Sequence, residues 1–184
     1  MEDDRAAIRE LGLPGDLGWV VKAHGEVYAE EFGWDTSFEA LVCRIVSDYA
    51  GAHDDLLEKA WIAEVDGRRA GCVLCVEASP GVAQLRILLV EPWARGHDLG
   101  TRLVDEVLEF ARKAGYARVR LWTNHPLTAA RGIYVSRGFE LVEEEPHTSF
   151  GVELIGQVYE LDLAGRCYSR PSFEKEAKSA ISAL

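Results

Sequence analysis

No run in this sequence approaches the ~20 uncharged apolar residues that a bilayer-spanning helix needs, so a soluble chain with no membrane partner is expected. Nor is there a basic, then apolar, leader. Met1-Glu2-Asp3-Asp4 is acidic, and a cytoplasmic location is the expectation that follows. Positive charge is scarce: 20 Lys and Arg stand against 31 Asp and Glu, for a net charge of −11. A protein that binds a phosphate backbone needs a basic footprint, so nucleic acid is not an expected partner. Cysteine is sparse too, with four in 184 residues, which leaves a disulfide scaffold without support. Cys72 and Cys75 form a C-x-x-C, but Ala70–Val76 reads as a strand, where a spacing of three sends side chains to opposite faces. They could not chelate one metal there, and a redox pair would want a helix N-terminus. Buried, reduced thiols are the expectation for Cys43, Cys72 and Cys75, with no metal. Internal repeats and low-complexity stretches are also missing.

What is present is an ordinary globular composition, 48% hydrophobic and 28% charged, long enough for one domain with a sizeable core. That domain is expected over residues 1–163. Residues 164–184 depart from the pattern and read as a C-terminal extension without an assigned role, Phe173–Leu184 being a candidate short polar helix. The negative charge is uneven: residues 1–60 hold 14 acids against 5 bases, the other 124 residues 17 against 15. A solvated acidic surface accounts for this, and a negative field attracting a cationic partner is the sharper alternative.

Ile8–Leu13 reads as a short strand. From Asp16, the residues Leu17, Val20, Val21, Val27 and Tyr28 recur at helical spacing, on a stripe that also carries His24 and Glu31. Thr36-Ser37-Phe38-Glu39 has the form of a capping box for a second helix. A hairpin with an Asp66-Gly67 turn follows, then a strand over Val82–Glu91. Asp98–Gly115 is a strongly amphipathic helix stopped by Gly115. Ala117–Thr123 reads as a strand, Thr128–Arg137 as a helix capped by Thr128, and Phe139–Glu145 and Gln157–Leu163 as strands. The order means an α/β fold of the α+β type, a mixed sheet with helices on its faces.

The chemistry-bearing segment is Glu91-Pro92-Trp93-Ala94-Arg95-Gly96-His97-Asp98-Leu99-Gly100-Thr101, where a strand ends, a glycine-bearing turn follows and a helix starts. Backbone N–H groups pointing out of such a turn, with the helix dipole, suit a pyrophosphate. It is neither a P-loop nor a Rossmann fingerprint. Val90-x-Pro92-x-x-Arg95-Gly96-x-x-Leu99-Gly100-x-x-Leu103 resembles the acetyl-CoA pyrophosphate loop of the GNAT N-acetyltransferases. Ala130-x-x-x-Tyr134-x-x-x-Gly138-Phe139 resembles that family's second signature, in the right order and at the right distance. Gly33-Trp34-Asp35, Leu85–Pro92, Leu121-Trp122-Thr123-Asn124 and Glu145–Gly151 are more particularly similar to the acetyltransferase domain that many bacterial proteins carry behind a MarR-type winged helix, a half for which this chain has no room.

The resemblance implies a GNAT fold, with a mostly antiparallel central sheet, and acetyl-CoA as co-substrate. It implies that Leu88, Leu89 and Val90 hold the pantetheine arm and acetyl carbonyl through backbone groups, and that Arg95, Gly96, His97, Asp98, Leu99, Gly100 and Thr101 cradle the pyrophosphate. Asn124 and Ala130 would flank the cofactor, and Tyr134 would protonate the leaving thiolate. Asp98 departs from the pattern, standing where the signature has its first glycine. For the attacking amine some base must take a proton, and His147, Glu31 and His24 are the candidates. Glu91 reads as a solvated residue out of phase with Arg86, Leu88 and Val90. Arg86, in an otherwise apolar strand, is either a strand-edge ion pair or the partner of an acceptor carboxylate. Trp122 would receive a cationic head on its face or simply pack. With His24, Tyr28, Glu31 and His147, these two make up the expected acceptor side.

The expected activity is transfer of acetyl to the primary amine of a small, amino-acid-like or cationic molecule, by a monomer or homodimer. The alternatives are an acyl-CoA sensor without catalysis, suggested by Asp98, and a protein-lysine acetyltransferase using the acidic helices as its recognition face.

Overall fold

A computed structural model describes residues 5–163; the expected extension over 164–184 and its candidate helix lie outside the described residues. The elements run β1 (Ala6–Glu10), α1 (Asp16–Phe32), α2 (Thr36–Ala52), β2 (Lys59–Val65), β3 (Arg68–Ser79), β4 (Val82–Val90), α3 (Leu99–Lys113), β5 (Arg118–Asn124), α4 (Thr128–Ser136), β6 (Glu140–Ser149) and β7 (Val152–Asp162). The seven strands form one sheet in the order β1-β2-β3-β4-β5-β7-β6. Among the described strands only β4 and β5 pair in parallel. Among the described residues, no helix is long and apolar enough to cross a membrane.

The sheet separates two apolar layers. On one face, α3 lays down Leu99, Leu103, Val104, Val107 and Ala111 over Val73, Cys75, Leu85, Val119 and Leu121. On the other, α1 and α2 bring Val20, Val27, Leu41, Val42 and Ile45 over Ile62, Cys72, Leu74 and Leu89. Cys72 and Cys75 therefore do face opposite layers, and burial pushes the Cys75 thiol up to about 12. Cys43 differs from expectation: it sits on the outer face of α2 and is exposed. The Asp66-Gly67 hairpin forms as read, with positive φ at both turn residues (51° and 73°), the backbone signature of a type I′ turn.

Four local readings are corrected. The cap of α2 is Asp35 and not Thr36. Its carboxylate accepts from the Ser37 N–H at 2.9 Å and from the Ser37 hydroxyl, one residue ahead of the expected box. Thr128 is the first residue of α4 and gives no side-chain cap. Finally, the strand expected to stop at Glu145 continues to Ser149, because Phe150 and Gly151, both at positive φ, make the tight turn into β7. The first strand also lies earlier than Ile8–Leu13. The backbone at Gly12 and Leu13 leaves the sheet to donate to the Asp16 carboxylate at 3.1 and 2.9 Å.

Gly71 is required by sheet packing: a Cβ there would lie 2.8 Å from the Leu89 carbonyl oxygen and 3.2 Å from a Leu103 methyl. Backbone cannot step aside as a side-chain tip can. Gly71→Ala is expected to destabilise the fold by about 1–3 kcal/mol, measured by urea unfolding.

Candidate active site

The site begins where the sheet opens. Parallel pairing of β4 with β5 ends at Leu85↔Leu121, and beyond it the strands diverge. A cavity of about 90 Å³ fills the gap. Residues from α1, α2, β4, β5 and α4 line it, among them His24, Tyr28, Arg86, Leu88, Trp122, Asn124, Ala130 and Tyr134.

The strand β4 does not alternate regularly. Leu74 pairs with Arg86 but Cys72 with Leu89, so β4 carries one residue more than β3. Ile87 absorbs it at φ 47°, a left-handed conformation that costs a β-branched residue most. Up to Leu85 the odd residues face α3; past the bulge Leu88 and Val90 do, while Ile87 and Leu89 face α1 and α2. Arg86 therefore does not share the face of Leu88 and Val90. It lies on the α2 side, where it feels Asp48. The same inversion corrects Glu91, which stands on Arg86's side of the strand and close enough to Lys22 and Glu26 of α1 to feel their charges. It is half-buried, and loss of water raises its carboxyl pKa.

Tyr134 on α4 is 4% exposed and packs edge-on against Phe139, with ring centroids 5.9 Å apart. Among the described residues its hydroxyl has no hydrogen-bond partner, and burial raises its pKa, so the phenol stays protonated at any working pH. It lines the cavity beside Ala130, one helical turn away.

After β4, one 3₁₀ turn (Pro92–Ala94) leads to Arg95, to Gly96 at φ 93° and to Asp98 at φ 55°, the residue before α3. Asp98 takes the left-handed conformation a glycine would have held, but its side chain makes no capping bond to α3. The first turn of a 15-residue helix is thus left without a side-chain cap at its N-terminus. Gly100 also has a packing reason, since a Cβ there would lie 2.8 Å from the Ile133 Cδ1 of α4. Leu99 is core by its side chain, so any part it plays in an anion cradle is its backbone's. Arg95 reaches across to α1 and makes a two-pronged ion pair with Glu31, at 2.7 and 3.0 Å.

That contact occupies Glu31, which does not line the cavity. His147 lies outside the lining as well, in β6 and not in a loop. Its Nε2 bonds Asn124 Oδ1 and its Nδ1 bonds Ser149 Oγ, both at 2.9 Å, and its ring lies 5.5 Å from that of Trp122. Gly156 opposite makes room, since a Cβ there would lie 3.0 Å from Trp122 Nε1. Neither expected base thus has a free atom at the cavity. His24 does line it. Its Nδ1 donates to the Val20 carbonyl at 2.8 Å and, among the described residues, its buried Nε2 has no hydrogen-bond partner, while desolvation lowers its pKa to about 4.

The α2 wall was not among the expected site residues. Phe38, Leu41 and Ile45 join Trp34 on the cavity's apolar side, and their helical spacing is indistinguishable from that of core residues. Trp34 also ties the site together: its ring packs at a tilt against Phe150, centroids 4.8 Å apart, and the Asp35 N–H donates to the Phe150 carbonyl.

Residues 19–139 match the family model described as the acetyltransferase (GNAT) family. An uncharacterised N-acetyltransferase of Schizosaccharomyces pombe is 30% identical over 151 residues, covering 80% of this chain and 90% of that protein. The mycothiol acetyltransferase of Beutenbergia cavernae is 28% identical over 81% of this chain, which spans only 53% of it. The structure of the acetyltransferase yncA of Salmonella typhimurium, solved with its cofactor acetyl-CoA, superposes with a TM-score of 0.71 over 90% of this chain and 98% of its own, at 15% identity. The chain belongs to the GNAT family of N-acetyltransferases.

Proposed function

We propose that this protein moves acetyl from acetyl-CoA directly to the primary amine of a small molecule in the cavity at the β4–β5 opening. The observation that carries the reading is the hydroxyl of the buried Tyr134, protonated and without a protein partner among the described residues, on the wall of that cavity. The residues present fit the co-substrate. The backbone from Arg95 to Thr101, with its two left-handed turns and the uncapped α3 N-terminus, suits the pyrophosphate. Leu88 to Val90, free of β5, have backbone groups open to a pantetheine arm and to the carbonyl oxygen that gains charge. Asn124 and Ala130 stand on the far wall, and Tyr134 supplies the proton that the departing thiolate needs. The described residues of the cavity walls include no carboxylate, and a histidine with a pKa of about 4 is a poor match for an ammonium proton. The amine therefore enters in its neutral form or passes its proton to water.

Thiol release from acetyl-CoA, followed with a panel of small amines and a lysine peptide, tests the reading. Turnover with a small amine and none with the peptide supports it, and no turnover with any amine overturns it.

A second reading, an acyl-CoA sensor without catalysis, draws on Asp98, whose carboxylate stands on the turn proposed for a pyrophosphate. Opposed unit charges a few ångströms apart in water interact by about 1 kcal/mol, or roughly fivefold in a dissociation constant, and like charges cost as much. Asp98→Gly keeps the turn conformation and removes the charge, so it is expected to tighten acetyl-CoA binding about fivefold by calorimetry. An unchanged or weaker affinity would count against the loop assignment.

A further inference from the structure

We propose that the acceptor is an α-amino acid with a bulky apolar or aromatic side chain, and that Arg86 holds its carboxylate. This rests on the cavity being the transfer site and adds what its walls select.

Arg86 carries the only fixed charge among the described residues that line the cavity, which include no Asp or Glu. It is largely withdrawn from water, with its charged form disfavoured by burial and only partly compensated by Asp48. Among the described residues it makes no hydrogen bond or ion pair. A guanidinium has five N–H donors in a planar fork that matches a carboxylate at two points. Leaving such a group unpaired in a low-dielectric recess is unfavourable, and an acceptor carboxylate satisfies it without competition from any acid on the wall. Its pairing opposite Leu74, whose side chain lies in the α1 and α2 layer, places it there, and the bulge at Ile87 then turns Leu88 and Val90 the other way, toward α3.

The rest of the acceptor is read by the α2 side. Trp34 and Phe38 meet edge-on at 4.7 Å, and with Leu41 and Ile45 they present an apolar wall beside Arg86. An apolar side chain fits that wall and a polar one would lose its water there. The acidic excess of residues 1–60 stands outside the cavity: Glu26, Glu30 and Asp48 are exposed, Glu39 is half-buried away from the lining and Glu31 is paired. The acceptor thus meets a negative rim and a positive recess, an arrangement suited to a zwitterion and not to a simple cation.

The test compares matched acceptors that differ only in the carboxylate, phenylalanine with 2-phenylethylamine and leucine with 3-methylbutylamine, by thiol release from acetyl-CoA. Charged hydrogen bonds of this kind contribute enough to expect kcat/KM about 100-fold higher for the acid of each pair. Arg86→Gln is expected to collapse that ratio, chiefly through KM. Members of a pair within threefold of each other in the native protein, or a ratio that Arg86→Gln leaves intact, would overturn the proposal. If no amine is turned over, the transfer reading fails and calorimetry with N-acetylphenylalanine and N-acetyl-2-phenylethylamine decides this one. Binding of the acid alone, lost in Arg86→Gln, supports the carboxylate site. No binding of the acid, or equal binding of both, rejects it.

Discussion

Tyr134→Phe is expected to lower kcat by about 10²–10³-fold while leaving the Kd for acetyl-CoA within about twofold. General acid catalysis contributes in that range, and the substitution removes one hydroxyl that has no protein partner among the described residues. The ring that packs on Phe139 and Tyr159 is retained, so stability should hold. Burial that raises the phenol pKa weakens it as an acid. The same dry surroundings raise the proton affinity of a thiolate formed beside it, so the two stay closer than their values in water suggest. Turnover equal to that of the native protein would remove the acid role, and a parallel loss of acetyl-CoA affinity would reassign Tyr134 to binding.

Asp16→Asn is expected to cost about 3–5 kcal/mol of stability, lowering Tm by roughly 6–20 °C for a chain of this size. The Asp16 side chain is fully buried and is met by Arg9 at 2.7 Å and Arg69 at 2.7 Å. Burial alone would raise its pKa; the bonds from Arg9, the Gly12 and Leu13 N–H groups and Arg69 outweigh burial and hold it well below the ordinary 3.8. An amide in its place leaves two guanidiniums facing each other at the junction of β1, β3 and α1. Because the folded pKa is depressed, the contribution is fully present above pH 3.8 and is lost as pH falls below that value. Thermal unfolding of both proteins should therefore show a large gap at neutral pH that narrows in acid. A gap that is small at neutral pH, or constant with pH, would contradict this account.

How much of this was legible in the sequence follows from which physics is local. The helix α3 is legible because its apolar stripe and its glycine stop lie within seventeen residues, 99–115, and the turn before it because Pro92 restricts the backbone and Gly96 permits a positive φ there. Caps are legible only to within a residue, since Asp35, Thr36 and Ser37 all carry oxygens that can accept. Partners across the sheet are not legible. Nothing near Glu31 in the chain announces Arg95, 64 residues away, and nothing near His147 announces Asn124. The apolar wall of α2 has the composition of a core and becomes a site only because β5 turns away from β4. Leu17 shows the converse: it matches the stripe of α1 but is 37% exposed.

The extra residue at Ile87 also changes how relatives of this chain should be compared with it. A related strand lacking that residue can be matched position for position up to the bulge or beyond it, but not through it. Its counterparts of Leu88, Leu89 and Val90 would then exchange layers, however well the letters align. A likeness of letters over that stretch therefore says which way a side chain faces only when the insertion is shared.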